Sequence, residues 1–292
     1  MGSGSTLAQR ALGRELRRLR MERGVGQAHA ARIAETSHQT IGRIEDGQTT
    51  RISSLQVNAL CDVYEATDDE RRICLDLVRE IRAAREGRAT AGWWRAYADA
   101  QISGFDHYLA LEDAADSLTM WHATLVPGLL QTPNYRRAIA WSESPDLPTA
   151  QLERRIEWQV QRQERLKDPN LQVTAILAEA ALCTEVGGKP VITEQLASLV
   201  ALSDLPNICV RVVPFTATTH LGSITGSFTL LEFPDWRSGL TQPPIVYVEG
   251  WTGDLYLERG VEIDSYQSAL REIDRVALTS TDSVALIKER MP

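Results

Sequence analysis

Lysine is nearly missing from this 292-residue chain. Only Lys167, Lys189 and Lys288 occur, which leaves 28 of the 31 basic residues as arginine. Cysteine is scarce too. Cys61, Cys74, Cys183 and Cys209 are too few and too scattered for a disulfide scaffold, and point to a reducing cytosol. No run of 18 apolar residues occurs, and the Gly/Ser-rich start is not a charged segment followed by an apolar one, so neither a membrane span nor export is expected. Also absent are a G-x-S-x-G elbow, a glycine-rich phosphate loop and an H-E-x-x-H pair. Cys61 and Cys74 are not part of a C-x-x-C and have no flanking histidine pair, so no metal and no cofactor is expected. His107, His122 and His220 are isolated and read as structural, and no catalytic residue can be named.

What is present is unevenly distributed. The formal charge of −8 argues against a polyanionic partner, yet residues 1–88 hold 15 arginines against 13 acids, a net of +2, so the remainder carries −10. All seven tryptophans lie beyond residue 92. Two compositional regimes meet between Gly87 and Gly92, as at a domain boundary.

The first regime reads as short helices. Leu12, Leu16 and Leu19 recur at helical spacing among arginines, giving a helix over 7–23 that Gly24 stops. Further helices are expected over 27–34, 37–45, 53–64 and 68–86, the last leading out of the compact unit. Residues 93–166 continue as helix, broken at Pro127-Gly128. The period then changes to two, and strands are expected near 173–177, 209–213, 228–233 and 245–248, with a turn at Gly253-Asp254 and a final helix over 263–277.

Residues 27–47 carry the most specific signal: a short helix, a tight turn, then a second helix opened by Ser37 and closed at Gly47. With Gln27, Ala31, Ser37, Ile41, Ile44, Glu45, Asp46 and Gly47 at fixed spacing, the segment resembles the Cro/CI-like (Xre) family of helix-turn-helix DNA-binding repressors. Ile41 and Ile44 can face a core, which leaves His38, Gln39, Thr40 and Arg43 outward. Gln pairs bidentately with adenine and Arg with guanine, so Gln39 and Arg43 are the candidate base readers, with His38 and Thr40 reading bases or touching phosphate. Gln27 at a helix start, the capping Ser37, Thr49 and Arg51 are candidate backbone contacts. The resemblance implies that Glu45 forms a structural ion pair with Arg20. Two departures stand out. Glu35 occupies the turn position where the family commonly has glycine, and Ala30 and Ala34 stand where leucines are usual, so a small core and a turn longer than standard are expected.

In the second regime, Gly92-Trp93-Trp94-Arg95, the stretch from Val126 to Tyr135 and Phe228 to Asp235 look similar to an actinobacterial regulator family whose C-terminal half is a domain of unknown function. Members are taken to be transcription regulators, sometimes antitoxin-like and encoded beside a small partner. Trp121, Tyr135 and Trp141 surround the rigid Pro127–Pro133 segment in sequence and form a candidate effector pocket, although aromatics of this kind also serve as core. Ala91-Gly92 resembles the bond cut by self-cleaving repressors, but no lysine follows a serine in a matching context, and an enzyme is not expected.

The expected fold is α+β: an N-terminal all-α five-helix helix-turn-helix domain (7–66), a helical connector (67–120) and a mixed α/β effector and dimerisation domain (121–292). The expected function is a cytoplasmic, nucleoid-associated transcriptional regulator binding a palindromic operator as a homodimer. Its partners would be double-stranded DNA, itself, and a small-molecule effector or small neighbour-encoded protein, with no membrane. The alternative is an antitoxin-like module that sequesters that neighbour and autoregulates its operon.

Overall fold

A computed structural model describes residues 7–48, 50–85, 106–234, 242–251 and 253–292. These fall into two compact units, the first ending at Ala114 and including Gln242, the second holding 115–234 and 243–292. Among the described residues, no helix is long and apolar enough to cross a membrane.

The first unit opens with five helices: α1 (Leu7–Glu22), α2 (Gln27–Ile33), α3 (His38–Glu45), α4 (Ser54–Val63) and α5 (Asp68–Arg85). Leu12, Leu16 and Leu19 of α1 do face one core, joined there by Ala30, Ala31 and Ala34, by Ile41 and Ile44, and by Val57, Leu60 and Tyr64. Four of these helices end alike. The residue after each cap is left-handed, at Gly24, Glu35, Gly47 and Glu65, and the next amide reaches back to the last turn: Val25 to Arg20, Thr36 to Ala31, Gln48 to Arg43 and Ala66 to Cys61, all near 2.9–3.0 Å. This pairing satisfies carbonyls that a helix end would otherwise strand.

α6 (Asp106–Ala114) precedes the second unit, a six-stranded mixed sheet with strand order β3-β2-β1-β4-β5-β6. β1 (Ser117–His122), β2 (Gln172–Ala178) and β3 (Ile208–Val213) run parallel, and β4 (Phe228–Glu232), β5 (Ile245–Val248) and β6 (Leu255–Leu257) continue antiparallel from β1. The parallel crossovers carry α7 (Pro133–Glu143), α8 (Thr149–Gln163), α9 (Glu179–Cys183) and α10 (Lys189–Leu202), and the short α11 (Gly222–Thr225) sits between β3 and β4. α12 (Gly260–Val276) packs Ile263, Ala269, Leu270 and Ile273 with Trp121, Phe228 and Val246. α13 (Ser280–Glu289) lies along β3, whose backbone is met by the Leu278 amide at 2.8 Å and the Ser283 hydroxyl at 2.9 Å.

Three expectations need correction. The segment 93–166 is not helical throughout: β1 occupies the middle of the sheet, its six residues too short to stand out between helical patterns. α5 does not lead out of the first unit but buries Cys74, Leu77, Val78 and Ile81 in its core, while β1 belongs to the second unit, so 67–120 is no unit of its own. The C-terminal helix is followed by a second one, α13. The boundary between Gly87 and Gly92, the bond Ala91-Gly92 and the Gly92–Arg95 motif lie outside the described residues.

Candidate nucleic-acid interface

α3 is built to show one face. Ser37 caps it by accepting the Thr40 N–H at 3.1 Å, and the two hydroxyls meet at 2.9 Å, so the Thr40 side chain is engaged in the cap. Ile41, Ile44 and Glu45 are buried beneath, whereas His38, Gln39 and Arg43 are exposed. Gln39 and Arg43 are four apart, so they share one face of the helix. The turn from α2 consists of Ala34, Glu35, Thr36 and Ser37. That is the ordinary length for this motif, not the longer one expected. Small alanines at 30, 31 and 34 let α2 approach α3, and Gln56 of α4, while completing a capping box with Ser53, also donates to the Ala34 carbonyl at 2.9 Å. Glu35 takes φ +48°, so the turn does force a side chain into the left-handed region, as does Glu65 at +49°.

The end of α3 is fixed from below. Arg20 grips Glu45 with both arms, Nε to Oε1 at 2.5 Å and Nη2 to Oε2 at 2.9 Å, and its Nη1 donates to the Val25 carbonyl at 2.8 Å. The Glu45 side chain is 1% exposed. Burial pushes its carboxyl pKa up, but the hydrogen bonds from Arg20 and Gln27 and the charges of Arg20 and Arg17 outweigh that and hold it below the usual range. The same neighbourhood pushes the Tyr64 hydroxyl up, chiefly through burial and then through the Glu45 charge. Gln27 is thus placed differently from the sequence expectation: its side-chain amide donates to Glu45 Oε2 at 2.9 Å.

Two positioning residues escaped sequence reading. Arg17 lies 3.5 Å from Glu45 and 2.8 Å from Asp46. A Cβ on Gly13 would stand 2.2 Å from the Ile44 carbonyl oxygen, so α1 must offer bare backbone where α3 ends. A glycine inside an otherwise regular helical pattern was the available signal.

The arginines of this unit differ in what holds them: Arg10, Arg14 and Arg32 meet the neutral side chains of His107, Gln242 and His29, and Arg82 of α5 is exposed with no side-chain partner among the described residues. Arg17, Arg18, Arg20, Arg23, Arg71, Arg72 and Arg79 are each paired with a carboxylate. Arg43 and Arg51 are exposed and have no side-chain partner among the described residues. Thr49 lies outside the described residues.

The proposed aromatic pocket is not assembled. Trp121 is buried in the core on β1, donating Nε1 to the Gly222 carbonyl at 3.2 Å. Tyr135 is buried elsewhere, its hydroxyl accepting from the Val126 amide at 3.3 Å, and Trp141 is exposed on α7. The three were near in sequence, but strand β1 carries Trp121 into a different layer. The Pro127–Pro133 segment is largely buried, with Leu129, Leu130, Gln131 and Thr132 shielded from solvent. It is an internal loop whose carbonyls are met by four glutamines. Gln131 donates to Val126, Gln159 to Gly128, Gln163 to Leu129 and Gln131, and Gln195 to Leu130, while Gln195 also accepts the Thr132 amide at 2.7 Å. A cavity of about 270 Å³ does open at the carboxyl ends of β2 and β3, bounded by Pro214, Phe215, Thr218, Thr219 and His220. Among the described residues no group of three or more His, Cys, Asp or Glu is placed to hold a metal.

Comparison with known families agrees with this division. A model described as a helix-turn-helix domain matches residues 11–72, and one described as a domain of unknown function (DUF5753) matches residues 105–289. No curated protein and no solved structure matches the chain. The chain belongs to the DUF5753 family and joins that domain to an N-terminal helix-turn-helix domain.

Proposed function

We propose that this chain is a sequence-specific DNA-binding transcription regulator of the Cro/CI type, acting in the cytoplasm without catalytic activity of its own. α3 enters the major groove, Gln39 and Arg43 read base edges, and His38, Arg51 and the α2 amides at Gln27 position the backbone. The observation that carries this reading is the face of α3: Ile41, Ile44 and Glu45 are buried, while Gln39 and Arg43, four residues apart, are exposed and Arg43 has no side-chain partner among the described residues.

A net of +2 on residues 1–88 supplies little non-specific attraction, so one head binds weakly and two are needed. The regulator therefore works as a homodimer on a palindromic operator, with half-sites about one helical turn apart. The DUF5753 half supplies self-association and the response to a small molecule or a partner protein.

Selection from a random duplex pool by the purified chain tests the reading. Enrichment of a palindrome whose half-site centres lie about 10 base pairs apart is expected. A pool that stays unenriched at a salt concentration where the chain still binds DNA contradicts it.

A further inference from the structure

β2 and β3 run parallel and end side by side, with Ala178 opposite Val213. In open sheets that carry parallel strands, the crevice beyond the carboxyl ends of those strands is where ligands are held. The cavity of about 270 Å³ lies in that position. It falls just under the roughly 300–1,000 Å³ of sites for drug-sized molecules, so its occupant is small. Its wall is fixed in place: Trp121 donates to the Gly222 carbonyl at 3.2 Å, and His220 packs edge-on against the Trp121 ring at 5.6 Å.

The lining carries charge of one sign. Residues 212–231 supply most of the wall and contain no Asp, Glu, Lys or Arg. The ionised group that remains is Glu179, at the start of α9, whose side chain is 4% exposed. Its Oε1 accepts Nε of Arg290 at 2.8 Å and Nη2 at 2.5 Å, and Arg290 is not part of the wall. Its Oε2 accepts the Phe215 amide at 2.7 Å. A carboxylate oxygen has two lone pairs, so Oε2 keeps one acceptor site for a further donor. His220 adds no opposing charge, because burial and then the Arg275 charge lower its pKa and favour the neutral ring. Thr218, Thr219 and Ser223 add hydroxyls that have no side-chain partner among the described residues. Phe215, 66% exposed, offers its ring at the rim.

We propose that this cavity binds a small organic cation, an ammonium or amidinium group carried on a compact apolar body. The cationic nitrogen donates to Glu179 Oε2 and to the hydroxyls of Thr218, Thr219 and Ser223, and the Phe215 ring covers it. Residues 89–292 carry a net of −10, a field that draws cations to the cavity and turns anions away. A neutral molecule of the same shape gains neither the charge-assisted bond nor the contact with the ring face. The inference rests on the reading that the DUF5753 half responds to a small molecule, and it gives that molecule a place and a chemical class.

The test uses three probes of one shape: benzylamine, which is cationic at neutral pH, benzyl alcohol and benzoate. Each is titrated into the full chain without DNA, and binding is read by saturation-transfer NMR. Benzylamine is expected to bind with a dissociation constant on the order of 1 mM, at least about 10-fold tighter than benzyl alcohol, with benzoate weakest. Phe215→Ala removes an exposed ring and is expected to weaken benzylamine about 3-fold. Glu179→Gln keeps a carbonyl for the Phe215 amide and is expected to abolish the preference for benzylamine over benzyl alcohol. Unchanged circular dichroism melts establish that the variants are folded, and where Glu179→Gln does not fold, Phe215→Ala decides. Benzylamine that binds no better than benzyl alcohol, or equally well to Phe215→Ala, overturns the proposal. Benzylamine that does not bind defeats the site and leaves the response to another molecule or partner standing. Benzylamine that binds as expected, yet leaves the affinity for the selected duplex unchanged at saturation, upholds the site and counts against the response.

Discussion

The two units solve the same problem, a buried polar centre, with opposite chemistry. In the helix-turn-helix unit a carboxylate, Glu45, is taken out of water and matched by Arg20, Arg17 and Gln27. In the DUF5753 unit an irregular backbone is taken out of water and matched by neutral amides from Gln131, Gln159, Gln163 and Gln195. The ionic centre costs desolvation but fixes direction, and it ties α1, the start of α2 and the end of α3 into one frame. The loop's carbonyls are met by neutral amides, which do not titrate, although a charge stands among them: the buried Arg162 donates to Gln159 Oε1 at 3.4 Å. The helix-turn-helix unit uses the ionic, directional solution, and the unit that holds a buried loop uses neutral amides.

Removing one partner from each centre is the strongest way to break this contrast. Glu45→Ala leaves Arg20 buried without its carboxylate and is expected to cost about 3–5 kcal/mol in urea unfolding of the helix-turn-helix transition. Gln195→Ala leaves the Thr132 amide and the Leu130 carbonyl unsatisfied and is expected to cost about 2 kcal/mol in the other transition. Equal costs would mean that the two centres are energetically alike.

Acid sharpens the comparison. Glu45 has a folded pKa depressed below its ordinary value of 4.5, so its contribution is fully present above pH 4.5 and is lost as pH falls through the folded value. The stability gap between wild type and Glu45→Gln should therefore close on acidification below about pH 4.5, whereas the gap for Gln195→Ala should not follow the same titration. The smallest effect concerns the turns. Glu35→Gly and Glu65→Gly relieve a left-handed side chain and are each expected to stabilise the first unit by up to about 1 kcal/mol, read from thermal melts.

These differences also explain what could be read in advance. The helix-turn-helix unit is assembled from near neighbours, so leucine spacing, the capping Ser37, the stop at Gly47 and the strained Glu35 were all legible, as was the Arg20–Glu45 pair once the family pattern was matched. Where a partner came from outside the pattern, the reading was silent: the bond from Gln27 to Glu45 was not foreseen, and Gly13 revealed its purpose only once α3 lay across it. Cys61 and Cys74, read in sequence only as unsuited to a zinc site, are both buried in the core of the first unit. In the second unit the deciding contacts span large separations, 65 residues from Leu130 to Gln195 and 101 from Trp121 to Gly222. A periodicity argument does not reach that far, so β1 was taken for helix, and Trp121, Tyr135 and Trp141, open to a pocket or a core reading, could not be sorted into two buried side chains and one exposed.

The central claim, that the free cation on α3 reads a base, is tested most directly by binding titrations of Arg43→Ala on the selected duplex and on a scrambled one, at a single stated salt concentration. The account predicts a loss of about 5- to 150-fold on the selected duplex with little change on the scrambled one, whereas Arg51→Ala weakens both alike. Equal losses on the two duplexes for Arg43→Ala would contradict it.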